Sequence, residues 1–155
     1  MEDLVDGLNR AVQSGKARHI GVSNYNADLL RRAIVTNEVE YHPFLDQDIV
    51  LRHVASSRSS LMAYCGMAVG RVFETPLLKG IAARHQRSVA QIVLRWLIQQ
   101  PRVVALSRTE NFERIADNTK IFDFALTDDD MATISALKSS GSCIVNPPHL
   151  APVWD

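Results

Sequence analysis

Four short strand-like runs, separated by helix-like sequence, limit most strongly what this chain can fold into. They cover residues 19–24, 38–43, 61–65 and 103–109. Each run ends in polar or aromatic side chains, and a helical pattern then leads to the next run. Strands that alternate with helices favour parallel strands joined by right-handed crossovers. The sequence therefore predicts an α/β fold with four parallel strands and flanking helices.

The length of the chain limits how complete such a fold can be. Its 155 residues correspond to about one domain, whereas a closed barrel of eight β/α units needs about 250 residues. We therefore expect one partial domain over residues 1–155, equivalent to half of a (β/α)8 barrel. The stretch from residue 141 to 155 contains three prolines and is predicted to be a C-terminal loop.

The charge pattern indicates a small-molecule partner. There are 17 basic and 17 acidic residues, without a basic or acidic block, so nothing favours binding to nucleic acid or to a charged membrane surface. The first residues are acidic where a signal peptide needs basic ones, and no apolar run reaches the length of a membrane span. We therefore expect a soluble, cytoplasmic protein.

The metal-ligating residue types show no metal-binding pattern. Cys65 and Cys143 lie far apart and form no CxxC pair, which predicts neither a disulfide framework nor a zinc site. No HExxH or similar spacing occurs. The sequence therefore predicts no metal site.

Apolar periodicity and capping residues place the helices. We expect helices over about residues 2–14, from Asn26 along the apolar face that ends at Ile34, and over residues 47–56 and 76–85. Two more are expected to begin at Ser88, with Gln91 in the capping-box position, and at Thr127, with three aspartates in the first turn.

Candidate ligand-binding residues follow each strand-like run. In parallel β/α folds the ligand lies at the C-terminal ends of the strands. The residues at those positions are Ser23 and Asn24, 40–42, 64–66 and 107–109. A serine and an asparagine after a strand also suit a turn and helix cap, but four polar strand ends in register favour a binding site.

Several motifs together resemble one protein family over nearly the whole chain. They are IGVSNY (20–25), VEYHP (39–43), AYC (63–65), AQIVLRW (90–96) and RIADN (114–118). In this order and spacing, they resemble the C-terminal half of an aldo-keto reductase. The resemblance implies an NADPH-binding oxidoreductase barrel, of which this chain would supply the last four strands.

The resemblance assigns roles around the nicotinamide. Ser23 and Asn24 match the residues that hold its carboxamide, and Tyr64 matches the aromatic residue on which its ring stacks, although a core tyrosine is the alternative reading. Glu38 stands where the family has a glutamine. An amide both donates and accepts hydrogen bonds, whereas a carboxylate only accepts them, so this departure predicts weaker nicotinamide binding.

The adenosine end of the cofactor is implied in the same way. Arg108, Thr109 and Arg114 match the residues that hold the 2′-phosphate, with Arg108 in place of a lysine. Arginine keeps the positive charge and adds a planar fork suited to phosphate. Asp117 stands for a glutamate near the adenine, and Asn118 matches directly. The alternative reading for both arginines is scattered surface charge at a helix start.

The resemblance assigns no catalytic residue to this chain. The family's catalytic aspartate, tyrosine, lysine and histidine come from the first four strands, so a carbonyl substrate is expected only in an intact barrel. We therefore expect weak or incomplete NADPH binding and no reductase activity from the chain alone. A homodimer or a complementary barrel half is the expected partner. The alternatives are a noncatalytic interaction module and a decayed, truncated reading frame.

Overall fold

The computed structural model describes residues 2–25, 35–139 and 141–145. Within these ranges, four strands form one parallel sheet in the order β1-β2-β3-β4. Their bounds are β1 Gly21–Ser23, β2 Thr36–Glu40, β3 Ser60–Tyr64 and β4 Val103–Ala105. The predicted α/β class with four parallel strands and flanking helices is confirmed.

The pairing register aligns the C-terminal ends of the strands. Ser23 lies opposite Glu38, Glu40 lies opposite Tyr64, and Ala63 lies opposite Ala105. The side chains that follow the strands therefore share one end of the sheet, as parallel pairing predicts.

Two strands have bounds other than those the sequence suggested. β2 begins at Thr36, before the run predicted at 38–43, because Thr36 and Asn37 already pair with both neighbouring strands. Only Val103–Ala105 of the 103–109 run is strand. Leu106 still donates its amide to the Ala63 carbonyl at 3.0 Å, and the following residues leave the ladder for the next helix.

Six helices surround the sheet in the described ranges. They are α1 Glu2–Gln13, α2 Asp48–Ser56, α3 Pro76–His85, α4 Val89–Gln99, α5 Phe112–Thr119 and α6 Asp128–Ser135. Five of the predicted helices are confirmed within the usual uncertainty of helix ends. The helix predicted from Asn26 lies outside the described residues, and α5 was not predicted as a separate helix.

Local capping interactions fix the starts of α4 and α6. The Ser88 hydroxyl accepts the Gln91 amide at 3.2 Å while the Gln91 side chain accepts the Ser88 amide at 2.9 Å. Thr127 and Asp130 form the same reciprocal pair at 3.1 and 3.3 Å. Each capping box satisfies two amides that would otherwise lack partners at a helix start, so both predicted starts are confirmed.

The connection after β3 is an ordered segment. It leads into a 3-10 segment, Ala68–Glu74, that is kinked at Val69 and Gly70, where φ is 51° and 94°. Ala68 and Val72 of this segment are fully buried, so packing against the core holds it in place.

The core lies between the sheet and α4. Ile92, Val93, Trp96 and Leu97 are at most 2% exposed and form the buried apolar face of this helix. The Trp96 ring packs against Tyr41 with ring centroids 5.1 Å apart, and the Tyr41 hydroxyl donates to Gln100 at 2.8 Å. This packing fixes the end of β2 relative to α4.

Both edges of the sheet are open within the described ranges, because β1 pairs only with β2 and β4 pairs only with β3. Beside β4, an apolar groove is lined by Leu94, Ile98, Val104 and Phe122, among others. Val104 and Phe122 are 46% and 75% exposed. We call this surface, with β4 itself, the β4 edge.

Candidate cofactor site

Ser23 and Asn24 are held against the second strand by one backbone carbonyl. The Ser23 hydroxyl donates to the Glu38 carbonyl at 3.0 Å, and the Asn24 amide donates to the same oxygen at 2.8 Å. Asn24 has a φ of 57°, a left-handed conformation that asparagine tolerates better than most residues. This turn directs the chain away from the sheet at the end of β1.

Tyr64 joins this turn from two strands away. Its hydroxyl donates to Asn24 Oδ1 at 3.0 Å. Burial, followed by the negative charge of Glu40, raises the pKa of Tyr64, so the hydroxyl stays protonated at neutral pH. The structure therefore brings together three of the predicted nicotinamide residues, and we call them the Ser23–Asn24–Tyr64 cluster.

Glu38 contributes to the cluster mainly through its backbone. Its carbonyl accepts the two hydrogen bonds from Ser23 and Asn24, while its side chain is half-buried. A glutamine at this position would leave that backbone contact unchanged. The replacement of glutamine by Glu38 therefore affects nicotinamide binding only through the side chain, as a carboxylate in place of an amide.

Asn37 is a structural part of this site that the sequence reasoning missed. Its fully buried side chain donates to the Tyr25 carbonyl at 2.7 Å and accepts the Tyr25 amide at 3.3 Å. Asn37 therefore holds the turn after β1 through both backbone polar groups of Tyr25. Asparagine is disfavoured inside strands, so its position directly before the second run was the available signal.

The predicted adenosine-side residues lie in the loop after β4 and on α5. Thr109 Oγ1 accepts the Asn111 amide at 3.2 Å, and Asn111 Oδ1 in turn caps α5 by accepting the Glu113 amide at 2.8 Å. Asn118 reaches back from the last turn of α5 and donates to Ser107 Oγ at 3.0 Å. The structure thus joins Ser107, Thr109 and Asn118 around one short loop.

The charged residues of this region are exposed. Arg108 donates to Glu110 at 2.8 Å, and the two side chains are 89% and 86% exposed. Asp117 pairs with Lys120 at 3.0 Å on the surface, and Arg114 is also exposed. Sequence reasoning did not foresee Glu110 beside Arg108, although a carboxylate two residues away was a visible signal.

The described ranges contain no group of three histidine, cysteine or acidic residues placed to bind a metal ion. No helix in the same ranges has the length and apolar character needed to cross a bilayer.

Comparisons with known proteins place the chain in one family. The model of the aldo/keto reductase family matches residues 1–139. An aldo-keto reductase from Mycobacterium sp. (strain MCS) is 41% identical over 143 residues, which cover 87% of this chain and 50% of that protein. The chain spans about half the length of the curated relatives it matches.

Solved structures show the same relationship. The crystal structure of a protein proposed to be a 2,5-diketo-D-gluconic acid reductase B superposes with a TM-score of 0.93 at 45% identity, covering 97% of this chain and 56% of that one. A Bombyx mori aldo-keto reductase in complex with NADP superposes with a TM-score of 0.77 at 34% identity, covering 85% and 48%. This chain is therefore a member of the aldo/keto reductase family.

Proposed function

We propose that this chain forms the cofactor-binding half of an NADPH-dependent aldo-keto reductase barrel. On its own it binds NADPH weakly and does not reduce carbonyl compounds. The observation that carries this proposal is the Ser23–Asn24–Tyr64 cluster, which unites the ends of β1 and β3 through a hydrogen bond of 3.0 Å. A solved relative that contains NADP supports the choice of cofactor.

The donor and acceptor groups of the cluster suit a carboxamide. The side-chain Nδ2 of Asn24 can donate hydrogen bonds, and the Ser23 hydroxyl oxygen keeps lone pairs that can accept them after its own proton is donated to Glu38. The Tyr64 ring is half-buried and its hydroxyl is fixed by Asn24, so the ring is a preorganised surface for stacking. These three residues would hold the nicotinamide end of NADPH.

The loop before α5 suits the 2′-phosphate. Arg108 and Arg114 supply positive charge, and Thr109 supplies a hydroxyl, near the start of a capped helix whose first amides favour anions. Asp117 and Asn118 would lie near the adenine. Because both arginines are exposed, water and salt screen their charge, which favours modest affinity.

The proposed reaction in the intact barrel is carbonyl reduction. NADPH held by these residues would supply the hydride for the carbonyl carbon, and a separate proton donor would be needed to complete the alcohol at the oxygen. This chain's residues bind and orient the cofactor, but none of them is assigned as that proton donor. The substrate would be a small aldehyde or ketone.

An assay of aldehyde-dependent NADPH oxidation tests whether the chain needs the other half of the barrel for activity. We expect no turnover from the chain alone. We expect turnover when it is mixed with the first four β/α units of the matching mycobacterial reductase, since these would complete the barrel. Turnover by the purified chain alone would overturn the proposal of inactivity.

A second candidate function is a noncatalytic interaction module, and the open β4 edge favours it. An unpaired strand edge next to exposed apolar side chains is a template for pairing with another chain. The occupant we propose is a half barrel of four parallel strands, which a second copy of this chain would supply in a purified sample. Two copies related by a twofold axis could pair β4 of each with β1 of the other.

A further inference from the structure

The side chain of Glu40 is a fully buried carboxylate at the end of β2, and both of its oxygens contact the C-terminal segment. Oε1 accepts the Ile144 amide at 2.7 Å, and Oε2 accepts the Val145 amide at 2.7 Å and the Cys143 thiol at 3.0 Å. These partners lie more than 100 residues along the chain from Glu40.

His42 supplies the remaining hydrogen bond to the carboxylate, at 2.9 Å from Oε1. Its Nδ1 accepts the Phe44 amide at 3.3 Å, which leaves the proton of a neutral ring on Nε2, facing Glu40. Burial, as the largest cause, lowers the pKa of His42. The histidine is therefore a neutral donor at neutral pH and does not neutralise the carboxylate.

Glu40 nevertheless keeps its negative charge. Burial by itself would raise its pKa, but the hydrogen bonds from Cys143, Ile144, Val145 and His42 outweigh burial and lower the pKa. Among the described residues, the ion pairs of Glu40 include no lysine or arginine. A buried carboxylate without a cation needs donors for its charge, and the C-terminal segment provides three of them.

The segment is also fixed just before these contacts. The Ser139 amide donates to the Phe44 carbonyl at 3.0 Å, and Lys138 lies 3.8 Å from Asp46. The segment is thus attached at residues 138 and 139 to the loop after β2 and at residues 143–145 to the Glu40 side chain.

This attachment lies beside the Ser23–Asn24–Tyr64 cluster. Glu40 is the register partner of Tyr64, and neighbouring strands are about 4.8 Å apart. The side chains of Ile144 and Val145 are 36% and 47% exposed, although their amides are tied to Glu40. The apolar side chains are therefore presented to solvent at the same end of the sheet as Tyr64.

We propose that Glu40 is a positioning residue that clamps residues 143–145 beside the nicotinamide position, where Ile144 and Val145 form an apolar wall. The clamp itself stands on the contacts of the free chain. The location of the wall next to the nicotinamide rests on the proposed function. A clamped segment would exclude water from one side of the bound ring, which strengthens polar interactions inside the site.

The first test measures the clamp without cofactor. In a Cys65→Ser background, the rate at which Cys143 reacts with a chromogenic aromatic disulfide is compared between the parent chain and Glu40→Gln. Burial and Glu40 raise the pKa of Cys143 to about 12, so the parent thiol should react slowly. We expect Glu40→Gln to raise that rate, and the hydrogen exchange rates of the 144 and 145 amides, by about tenfold or more.

Two further variants control this test. Glu38→Gln makes the same chemical change two residues earlier on the same strand and should leave the thiol and exchange rates unchanged. Val145→Pro removes one donor from the segment without altering the sheet, so it should reproduce the increase in the thiol rate and in exchange of the 144 amide even if Glu40→Gln fails to fold. The clamp is refuted if Val145→Pro and any folded Glu40→Gln protein match the Glu38→Gln control.

The second test measures the emission wavelength of NADPH at saturation, which depends on the polarity around the bound nicotinamide. An apolar wall should shift the emission of the bound nicotinamide to shorter wavelength, and release of the segment should abolish that shift while leaving most of the affinity. An unchanged spectrum in a variant whose segment is released would overturn the location of the wall. Failure of the parent chain to bind NADPH would instead refute the proposed function, and with it the wall, while the clamp would stand on the first test.

Discussion

At the scale of single residues, Gly21 shows how close β1 and β2 must approach. A Cβ atom on Gly21 would lie 2.6 Å from Thr36 Cγ2 and 3.2 Å from the Thr36 carbonyl oxygen. We predict that Gly21→Ala lowers the free energy of unfolding by about 1–3 kcal/mol, as measured by urea denaturation. It should also weaken NADPH binding, because Ser23 and Asn24 follow directly on the same strand.

Gly80 provides the matched control for this prediction. A Cβ atom there would meet no neighbour within 4 Å, and the residue lies inside α3. Gly80→Ala should therefore stabilise the protein by about 0.5–1 kcal/mol. If the two substitutions changed the free energy of unfolding equally, the close approach of β1 and β2 would not be the reason that position 21 requires glycine.

Glu110 is predicted to limit recognition of the 2′-phosphate. Its exposed carboxylate pairs with Arg108 at 2.8 Å, and phosphate must compete with that pair. Exposed pairs are weak, so Glu110→Gln should tighten NADPH binding by up to about fivefold in a fluorescence titration. NADH lacks the phosphate and serves as the control. If Glu110→Gln tightened NADH binding as much as NADPH binding, the prediction that Arg108 binds the 2′-phosphate would be wrong.

At the scale of helices and strands, Asp130 joins α3 to α6. It is 3% exposed and accepts hydrogen bonds from Arg84 at 2.5 Å and His85 at 2.8 Å. Burial would raise its pKa, but the hydrogen bonds from His85, Thr127 and Arg84 outweigh burial and lower the pKa to about 2. An aspartate with a depressed pKa stabilises the fold above its unfolded pKa, which is about 3.9.

The Asp130 contribution should therefore be complete above about pH 4 and be lost as the pH falls toward 2. We predict that Asp130→Asn costs about 2 kcal/mol of unfolding free energy at pH 7, and that its stability changes less between pH 4 and 2 than that of the parent. Urea unfolding across this range measures both effects. Asp129→Asn, an exposed neighbour on α6, is the control, and similar losses in the two variants would contradict the prediction.

Helix starts could be predicted from the sequence because their interactions are local. The capping pairs Ser88–Gln91 and Thr127–Asp130 each span three residues, so the spacing alone reveals them. The contacts of Asn37 and Glu40 could not be foreseen in this way, since their partners lie 12 and more than 100 residues away. Only the folded backbone brings those groups together.

The candidate site shows the same contrast. The strand-end positions of Ser23, Asn24 and Tyr64 followed from the alternation of strands and helices, and their meeting at one end followed from parallel pairing. The hydrogen bond between Tyr64 and Asn24 spans 40 residues and depends on the exact register of three strands. The sequence pattern therefore predicts which residues meet, while the register determines which atoms bond.

At the scale of the whole molecule, the open β4 edge predicts self-association of the purified chain. Sedimentation across a range of concentrations should show dimers. Val104→Lys places a charge on the exposed apolar edge, as natural edge strands often do, and should weaken association by about tenfold or more. Ile49→Lys on α2, where the side chain is 42% exposed, is the control. A parent chain that stays monomeric, or equal effects of the two lysines, would contradict pairing through this edge.

The central proposal is that this chain carries an incomplete NADPH site that selects the cofactor through its 2′-phosphate. The most direct measurement is a fluorescence titration of the purified chain with NADPH and with NADH under identical conditions. We predict that NADPH binds more weakly than in the submicromolar range but more tightly than NADH, because Arg108, Thr109 and Arg114 would contact the 2′-phosphate, which NADH lacks. Submicromolar NADPH binding, or equal affinity for the two cofactors, would contradict this claim.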